Sequence, residues 1–470
     1  ERPVAELPLL SEAELEWLPE TAVTGNFIFC GQEGDTTGIV WDPALKVKLK
    51  SWHLAWDFDL DAMLQAGTPE SKPIQVFLNQ FQNAFQLLDY TRGVYVPVDA
   101  AHPSLELRVN QGNPVVSGPV NAELIWRQDR DLTGSFQLSA QGGKSGEPQL
   151  LEPGSGQRGM NWKDVELPDA PLVELCCDAS LPLYRLLRRQ TLLQPDGGIN
   201  FRKEGTWLSV DNGFLKLGAA IDSTLPVLLS LETGESEWLD QAWPQFYAKS
   251  FYNPYPGGFH VRPGGISLAE LSKEKHSLGI AEVKDQHGNT WRGLAFDTRI
   301  DNYKLFRGMR FRQYYLTLPG LPLLVATTEV VSGTGFACYE SFPLMGFFAP
   351  GGKLENCRIH VPIDQERWQS VEAGREDLRY WDYSRQFSVE NKESGWQMHF
   401  PNPAKVETGI HIDKAVARLR IGRFSYRATE YPKWLNPIFI LFSRERPAWE
   451  SLGQLLDLRF GTEYRDIQPL

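Results

Sequence analysis

From residue 93 onward, apolar positions recur every second residue in short runs, and helical spacing is rare. GVYVPVD, LELRVNQ, NAELIWR, GSFQLSA and PLVELCCD follow one another between Gly, Pro and Asn turns, the texture of short antiparallel strands. That spacing predicts a small sandwich of immunoglobulin type over 101–195. Inside it, QGGKSGEPQLLEPGSGQRG (141–159) is too polar and too rich in Gly, Ser and Pro for a core position and reads as an exposed loop. Beyond LLQPDGGIN (192–200) strands dominate to the end, among them GTWLSVDNGFLKLGA, MRFRQYYLTL, LPLLVATTEVV, ARLRIGRFSYRA and IFILFS, with a hairpin turn expected around His287 to Asn289. A strand-rich stretch of that length predicts one large antiparallel supersandwich over 196–470.

The first hundred residues read differently. Ser11 and Glu14 form a capping box for a short helix. KVKLKSWHLAWDFDL (46–60) alternates as a single strand, with His53, Asp57 and Asp59 on its polar face. Ile74, Leu78, Phe81, Phe85 and Leu88 recur at helical spacing between Pro73 and Gly93, which predicts a helix. The expected class is therefore mainly β and multi-domain: a mixed or β-rich domain over 1–100, the small immunoglobulin-like sandwich, then the large supersandwich.

Charge and cysteine content narrow the function classes. With 47 Lys+Arg against 59 Asp+Glu, the formal charge of −12 disfavours nucleic acid and anionic lipid as partners. No apolar run approaches the roughly 20 residues of a membrane helix. Five cysteines, two of them the adjacent Cys176 and Cys177, imply no disulfide framework. No glycosylation sequon and no basic-then-apolar leader are seen, so the cytoplasm is the expected compartment; the chain opens on Glu1, which leaves room for a removed leader. Zinc spacings, calcium loops, phosphate-cradling loops and the Gly-x-Ser-x-Gly elbow are missing, so neither metal nor cofactor is expected.

Candidate chemistry gathers in EWLDQAWPQFYAKSFYNPYPGGFHVRP (237–263). Its rings exceed what one loop is expected to bury, and flat aromatic faces rimmed by hydrogen-bonding groups suit a sugar. Trp243, Tyr252, Asn253 and Tyr255 are the expected substrate-binding residues. His260 and Arg262, two apart on an extended segment, share a face, and Arg262 suits a carboxylate such as that of an acidic sugar. In KVETGIHID (405–413), Glu407, His411 and Asp413 share a strand face, where a carboxylate and an imidazole can exchange protons. Arg262, His260, Glu407 and His411 are thus the candidate catalytic set.

The succession WLSVDNGFLKLGAAIDSTLPVLLSLETGESEWL, the Gly-rich aromatic loop, YYLTLPGLPLLVATTEVVSGTG and the closing IFILFSRERPAWESLGQLLDLRFGTEYR resembles the galactose-mutarotase-like supersandwich of aldose 1-epimerases and of accessory domains in carbohydrate-active enzymes. The resemblance covers about the last 270 residues. It implies a sugar groove, with Asn253 and Arg262 in the family's early binding loop. At the strand end where the family carries its catalytic glutamate this chain has Ser443, with Glu445 two residues further on. Two expectations follow: a carbohydrate-binding or carbohydrate-processing protein with a glycan ligand, or a noncatalytic structural module that engages a protein partner.

Overall fold

The computed structural model describes residues 27–465 outside a set of interruptions, of which 58–73, 88–104, 334–341 and 423–433 are the longest. The protein is mainly β, built from antiparallel sheets arranged as sandwiches. The chain divides into two compact units: 1–108 with 121–163 and 175–189, and 109–120 with 164–174 and 190–470.

In the N-terminal region Phe27–Gln32, Asp35–Val40 and Gln75–Leu78 form a three-stranded sheet, with Phe27, Val40, Phe81 and Leu87 buried together. This corrects the helix expected from Ile74. Gln75–Leu78 pairs antiparallel with Asp35–Val40, because Phe77 gains an inward position against Phe81, at a ring separation of 5.0 Å, while Val76 turns outward. Leu87 is helical, and 82–86 and 88 lie outside the described residues. The single strand expected over 46–60 is instead a hairpin of Lys46–Lys50 and His53–Asp57, closed between Lys50 and His53. A two-residue link without Gly, Asn or Asp left no turn signal to read. The capping-box segment around Ser11 and Glu14, and Asp59, lie outside the described residues.

Of the strands read in the small-sandwich region, those in LELRVNQ, NAELIWR, GSFQLSA and PLVELCCD are present, and GVYVPVD lies outside the described residues. Leu105–Val109, Val120–Trp126 and Gly159–Val165 make one sheet; Gly134–Ala140, Gln149–Leu151, Leu172–Ser180 and Arg185–Leu193 make another. Their burial alternates residue by residue, as in Leu105–Val109 and Gly134–Ala140, which is what one buried and one wetted face require. The segment expected as an exposed loop is largely exposed but includes the strand Gln149–Leu151.

Residues 190–470 carry the large sandwich. A ten-stranded sheet runs from Trp368–Glu372 at one edge to Phe460–Arg465 at the other. Its hairpin Lys275–Asp285 to Thr290–Arg299 turns where the sequence places it: Asp285 Oδ1 accepts from the backbone of His287 and Asn289, and Gly288 takes a φ of +84°. A six-stranded sheet has the order Val227–Leu228, Phe259–Val261, Leu344–Phe347, Ala417–Gly422, Val406–Ile412, Leu378–Ser384. A five-stranded sheet starts at Asn200–Glu204. Leu217 and Leu231, Phe259 and Leu419, and Leu294 and Phe311 belong to one continuous buried core, so these sheets are layers of a single body. The other face of the ten-stranded sheet buries Val283, Trp291, Tyr314 and Leu441 beneath Leu452 and Leu455 from the helical turns Trp449–Leu452 and Gly453–Leu456. Among the described residues no helix is long and apolar enough to cross a membrane.

Candidate functional site

Alternation decides what the six-stranded sheet presents on each side. Phe259, Val261, Leu344, Leu419, Ile421, Ile410 and Ile412 enter the core, so their neighbours face away from it. Across the strands His260 pairs with Met345 and Met345 with Arg420; one pleat along, Phe347 pairs with Arg418 and Arg418 with His411. Directly opposed residues share a face. The face away from the core therefore collects His260, Arg418, Arg420 and His411 around Phe347.

This face is covered by the candidate loop itself. Tyr247–Lys249 and Tyr252–Tyr255 form a short hairpin. Tyr252 and Tyr255 each meet Phe347 edge-on at 4.9 Å, and with Ala242 and Val416 they make a small buried cluster. Its polar anchors are few. The Tyr255 hydroxyl and Lys249 Nζ both donate to Asp240 Oδ2 at 2.5 Å, and Ser250 Oγ donates to Asp413 Oδ2 at 2.6 Å. After the hairpin the chain needs two glycines. Gly257 and Gly258 have φ of +65° and +62°, and a Cβ on Gly258 would lie 2.2 Å from the Leu228 carbonyl oxygen.

Beneath the hairpin, polar groups are buried without the partners their chemistry calls for. His260 is 1% exposed, and neither ring nitrogen has a partner in hydrogen-bond geometry. Burial, then the charges of Arg262 and Arg418, drive its pKa down to about 3, which the Gly257 backbone offsets only in part, so the ring is neutral. Arg418 is 8% exposed, its Nε has no hydrogen-bond partner, and among the described residues it forms no salt bridge. Burial lowers its pKa, the Tyr252 hydroxyl works against that, and the charge of Arg420 adds to it. Its guanidinium carbon sits 5.9 Å from the centre of the Tyr252 ring. The Tyr252 hydroxyl is buried without a well-formed hydrogen bond, and burial pushes it up to about 12 against the pull of Arg418. His411 is buried, with Nε2 at 3.7 Å from Asp413 Oδ2 and its ring 4.7 Å from that of Phe251. Burial raises the Asp413 pKa, but the hydrogen bonds from Ser250, Ala415 and Val416 outweigh it and hold the carboxyl low.

The structure thus brings His260, Tyr252 and His411 together and adds Arg418, which sequence reasoning passed over. Arg262 is half-buried and donates from Nη1 to the Ile266 carbonyl; its charge reaches both His260 and Tyr252. Glu407 stands apart. It lies four residues before His411, a rise of about 13 Å along a strand, with Tyr383 and Gly422 as backbone partners; its side chain lies outside the described residues. Tyr255, expected to bind substrate, is sealed at 0% exposure beneath the hairpin, and Trp238 of the same segment is buried in the main core with Nε1 donating to Thr233. Fused cores on both sides of the loop swallow more aromatic surface than its composition suggested. Trp243 is half-buried against Phe246, Asn253 is exposed, and Phe251, at 60% exposure, is the most open ring of the hairpin. Ser443 ends a strand of the ten-stranded sheet, and its Oγ donates to the Glu445 carbonyl.

Among the described residues no group of three or more His, Cys, Asp or Glu is placed to hold a metal. Chemically the arrangement offers cationic and neutral donors with no carboxylate beside Arg418, under an aromatic cover, which suits an anionic ligand with flat apolar faces.

No known family model matches the chain, and no curated protein matches it. Among solved structures it is similar to one named "putative aldose 1-epimerase" from Klebsiella pneumoniae, at 12% identity and a TM-score of 0.30, over 61% of this chain and 88% of that one.

Proposed function

We propose that the protein binds a carbohydrate on the covered face of the six-stranded sheet, and that the sugar is acidic. The observation that carries the reading is Arg418: a guanidinium buried away from water, with no carboxylate beside it, in a chain whose net charge is −12. Burying a cation without a counter-ion is costly, and a ligand carboxylate is the group that removes the cost. His260 and the Tyr252 hydroxyl supply hydrogen bonds for sugar hydroxyls or a second carboxylate oxygen. Phe251 and Tyr252 supply the flat faces that sugar C–H groups cover. The resemblance of residues 196–470, taken as one domain, to galactose-mutarotase-like supersandwiches agrees with a sugar ligand.

Because these polar atoms are sealed, the ligand enters when the hairpin Tyr247–Tyr255 lifts. His260, neutral in the folded protein, serves as a hydrogen-bonding group. His411 beside Asp413 is the group positioned to move a proton, and Glu407 is too far along the strand to share that step directly.

The test is a glycan array followed by calorimetry on oligomers of galacturonic and glucuronic acid against their neutral counterparts. Acidic oligomers bind, neutral ones do not, and Arg418→Met weakens binding by about tenfold or more, the loss of one charge-assisted hydrogen bond. Equal binding of neutral sugars, or no binding of any sugar, overturns the proposal. Reducing-end and unsaturated-product assays on the sugars that bind report turnover.

A further inference from the structure

Thr290–Arg299 and Arg310–Thr317, neighbours in the ten-stranded sheet, are joined by a loop that is closed at its base and anchored along its length. Ile300 N donates to the Met309 carbonyl at 2.9 Å and Gly308 N to the Ile300 carbonyl at 2.8 Å, so its ends meet. The Glu274 carboxylate, 7% exposed, accepts from the backbone N–H groups of Asp301 at 2.7 Å, Asn302 at 3.0 Å and Tyr303 at 2.7 Å. The Tyr303 hydroxyl donates to the Gly265 carbonyl, and Phe306 enters the main core. Compact loops closed and packed in this way hold one conformation at the surface, where contact residues are often presented.

The apex carries what the anchors leave over. With Phe306 turned inward, Leu305 stands outward at 65% exposure. Lys304 and Arg307 flank it, both exposed, and among the described residues neither forms a salt bridge; Arg307 Nε donates to the Asp301 carbonyl at 3.0 Å. Lys273, whose carbonyl accepts from Asn302 Nδ2 at 2.8 Å, is a third exposed cation without a salt bridge among the described residues. The Asp301 carboxylate is already taken by Lys275 at 3.0 Å and Arg299 at 2.8 Å. A single exposed leucine is ordinary. Here it is fixed on an anchored loop between cations that lack counter-ions, in a chain whose net charge is −12.

We propose that this apex docks an acidic segment of a partner protein. Leu305 packs against an apolar side chain of that segment, while Lys304, Arg307 and Lys273 face its carboxylates. Because the loop is already fixed, little ordering entropy opposes binding. A bilayer presents an extended anionic plane to a chain that is itself acidic, and one leucine inserts little area; a short acidic segment meets the cationic apex alone. A second copy brings the same cations, which repel when apex meets apex. None of these residues belongs to the face under the hairpin, so the inference stands apart from the acidic-sugar reading.

A phage-displayed library of short random peptides selected on the full chain, followed by calorimetry with the enriched peptides, tests it. Peptides carrying several Asp or Glu beside an apolar residue are expected, and their binding weakens as salt rises. Leu305→Ser weakens it by about tenfold or more, and Lys304→Gln combined with Arg307→Gln by about threefold or more. Arg418→Met leaves it unchanged. Leu305, Lys304 and Arg307 are exposed, so their variants fold, which the unfolding temperatures verify. The proposal is overturned if no acidic peptide is enriched, or if the enriched peptides bind either variant as tightly as the parent. It is overturned equally if the parent, and not Leu305→Ser, binds phosphatidylserine vesicles or sediments as a dimer, since the apex would then serve a membrane or a second copy.

Discussion

His260 and Arg418 make opposite demands on the folded chain, and both can be measured. The His260 ring titrates near 6.5 when unfolded and stays neutral to about 3 when folded. Below 6.5 the unfolded chain binds a proton that the folded protein refuses, so stability is complete above that pH and declines as pH falls towards 3, by about 1.4 kcal/mol per pH unit. His399, pressed down by burial, Arg446 and His360, adds a similar slope. Urea unfolding at a series of pH values checks this: His260→Gln is expected to remove about 1.4 kcal/mol per pH unit from the parent's dependence. An unchanged slope contradicts the buried neutral ring. Arg418→Met replaces a buried cation that lacks a counter-ion with an apolar chain of similar length and raises stability by about 1 kcal/mol or more, while acidic-sugar binding weakens by about tenfold or more. Had Arg418 been a structural residue, the same change would lower the unfolding temperature. His260, Tyr252 and His411 were legible because they stand in conspicuous segments. Arg418 was not, although ARLRIGR alternates Arg418 and Arg420 against Leu419 and Ile421. A strand's own alternation shows which residues share a face, but only register shows that Arg418 stands between His411 and Phe347.

The hairpin Tyr247–Tyr255 is the element on which access depends. Its anchors converge on Asp240, so Asp240→Asn weakens two charge-assisted bonds at once and destabilises the hairpin by about 1–3 kcal/mol. Hydrogen exchange at the hairpin amides is expected to quicken while the strands of the ten-stranded sheet keep their protection, and an acidic oligosaccharide slows it again. Uniform loosening of the whole unit would mean that the hairpin does not open by itself. Gly258→Ala places a Cβ against the Leu228 carbonyl and lowers the unfolding temperature, because this backbone cannot relax without moving a paired strand. Elements were legible where alternation was long and the turns chemically marked, as at Asp285 to Thr290. They were misread where the cue was missing or double. The link after Lys50 carries no turn residue, and the apolar spacing from Ile74 matches a helix although Gln75–Leu78 is claimed by its pairing with Asp35–Val40.

At the scale of the molecule, the β character and the sandwich layering follow from composition and period, since period-two segments this numerous have no other way to bury one face each. The continuous core predicts that a single cavity is felt through the whole large sandwich. Leu294→Ala is expected to cost about 2–5 kcal/mol and to shift one cooperative transition, read by calorimetry, whereas a change confined to a minor shoulder would contradict a single body. What composition could not give is which sheet face is wetted: the large sandwich buries part of its aromatic loop and leaves cations beneath it, against the sign of the whole chain. The central claim is that Arg418 awaits a carboxylate. A crystal structure of the protein with an oligouronate bound tests it most directly: a carboxylate oxygen is expected about 2.7–2.9 Å from an Arg418 nitrogen, with the hairpin displaced. An oligouronate seated elsewhere, with Arg418 still covered and untouched, would contradict it.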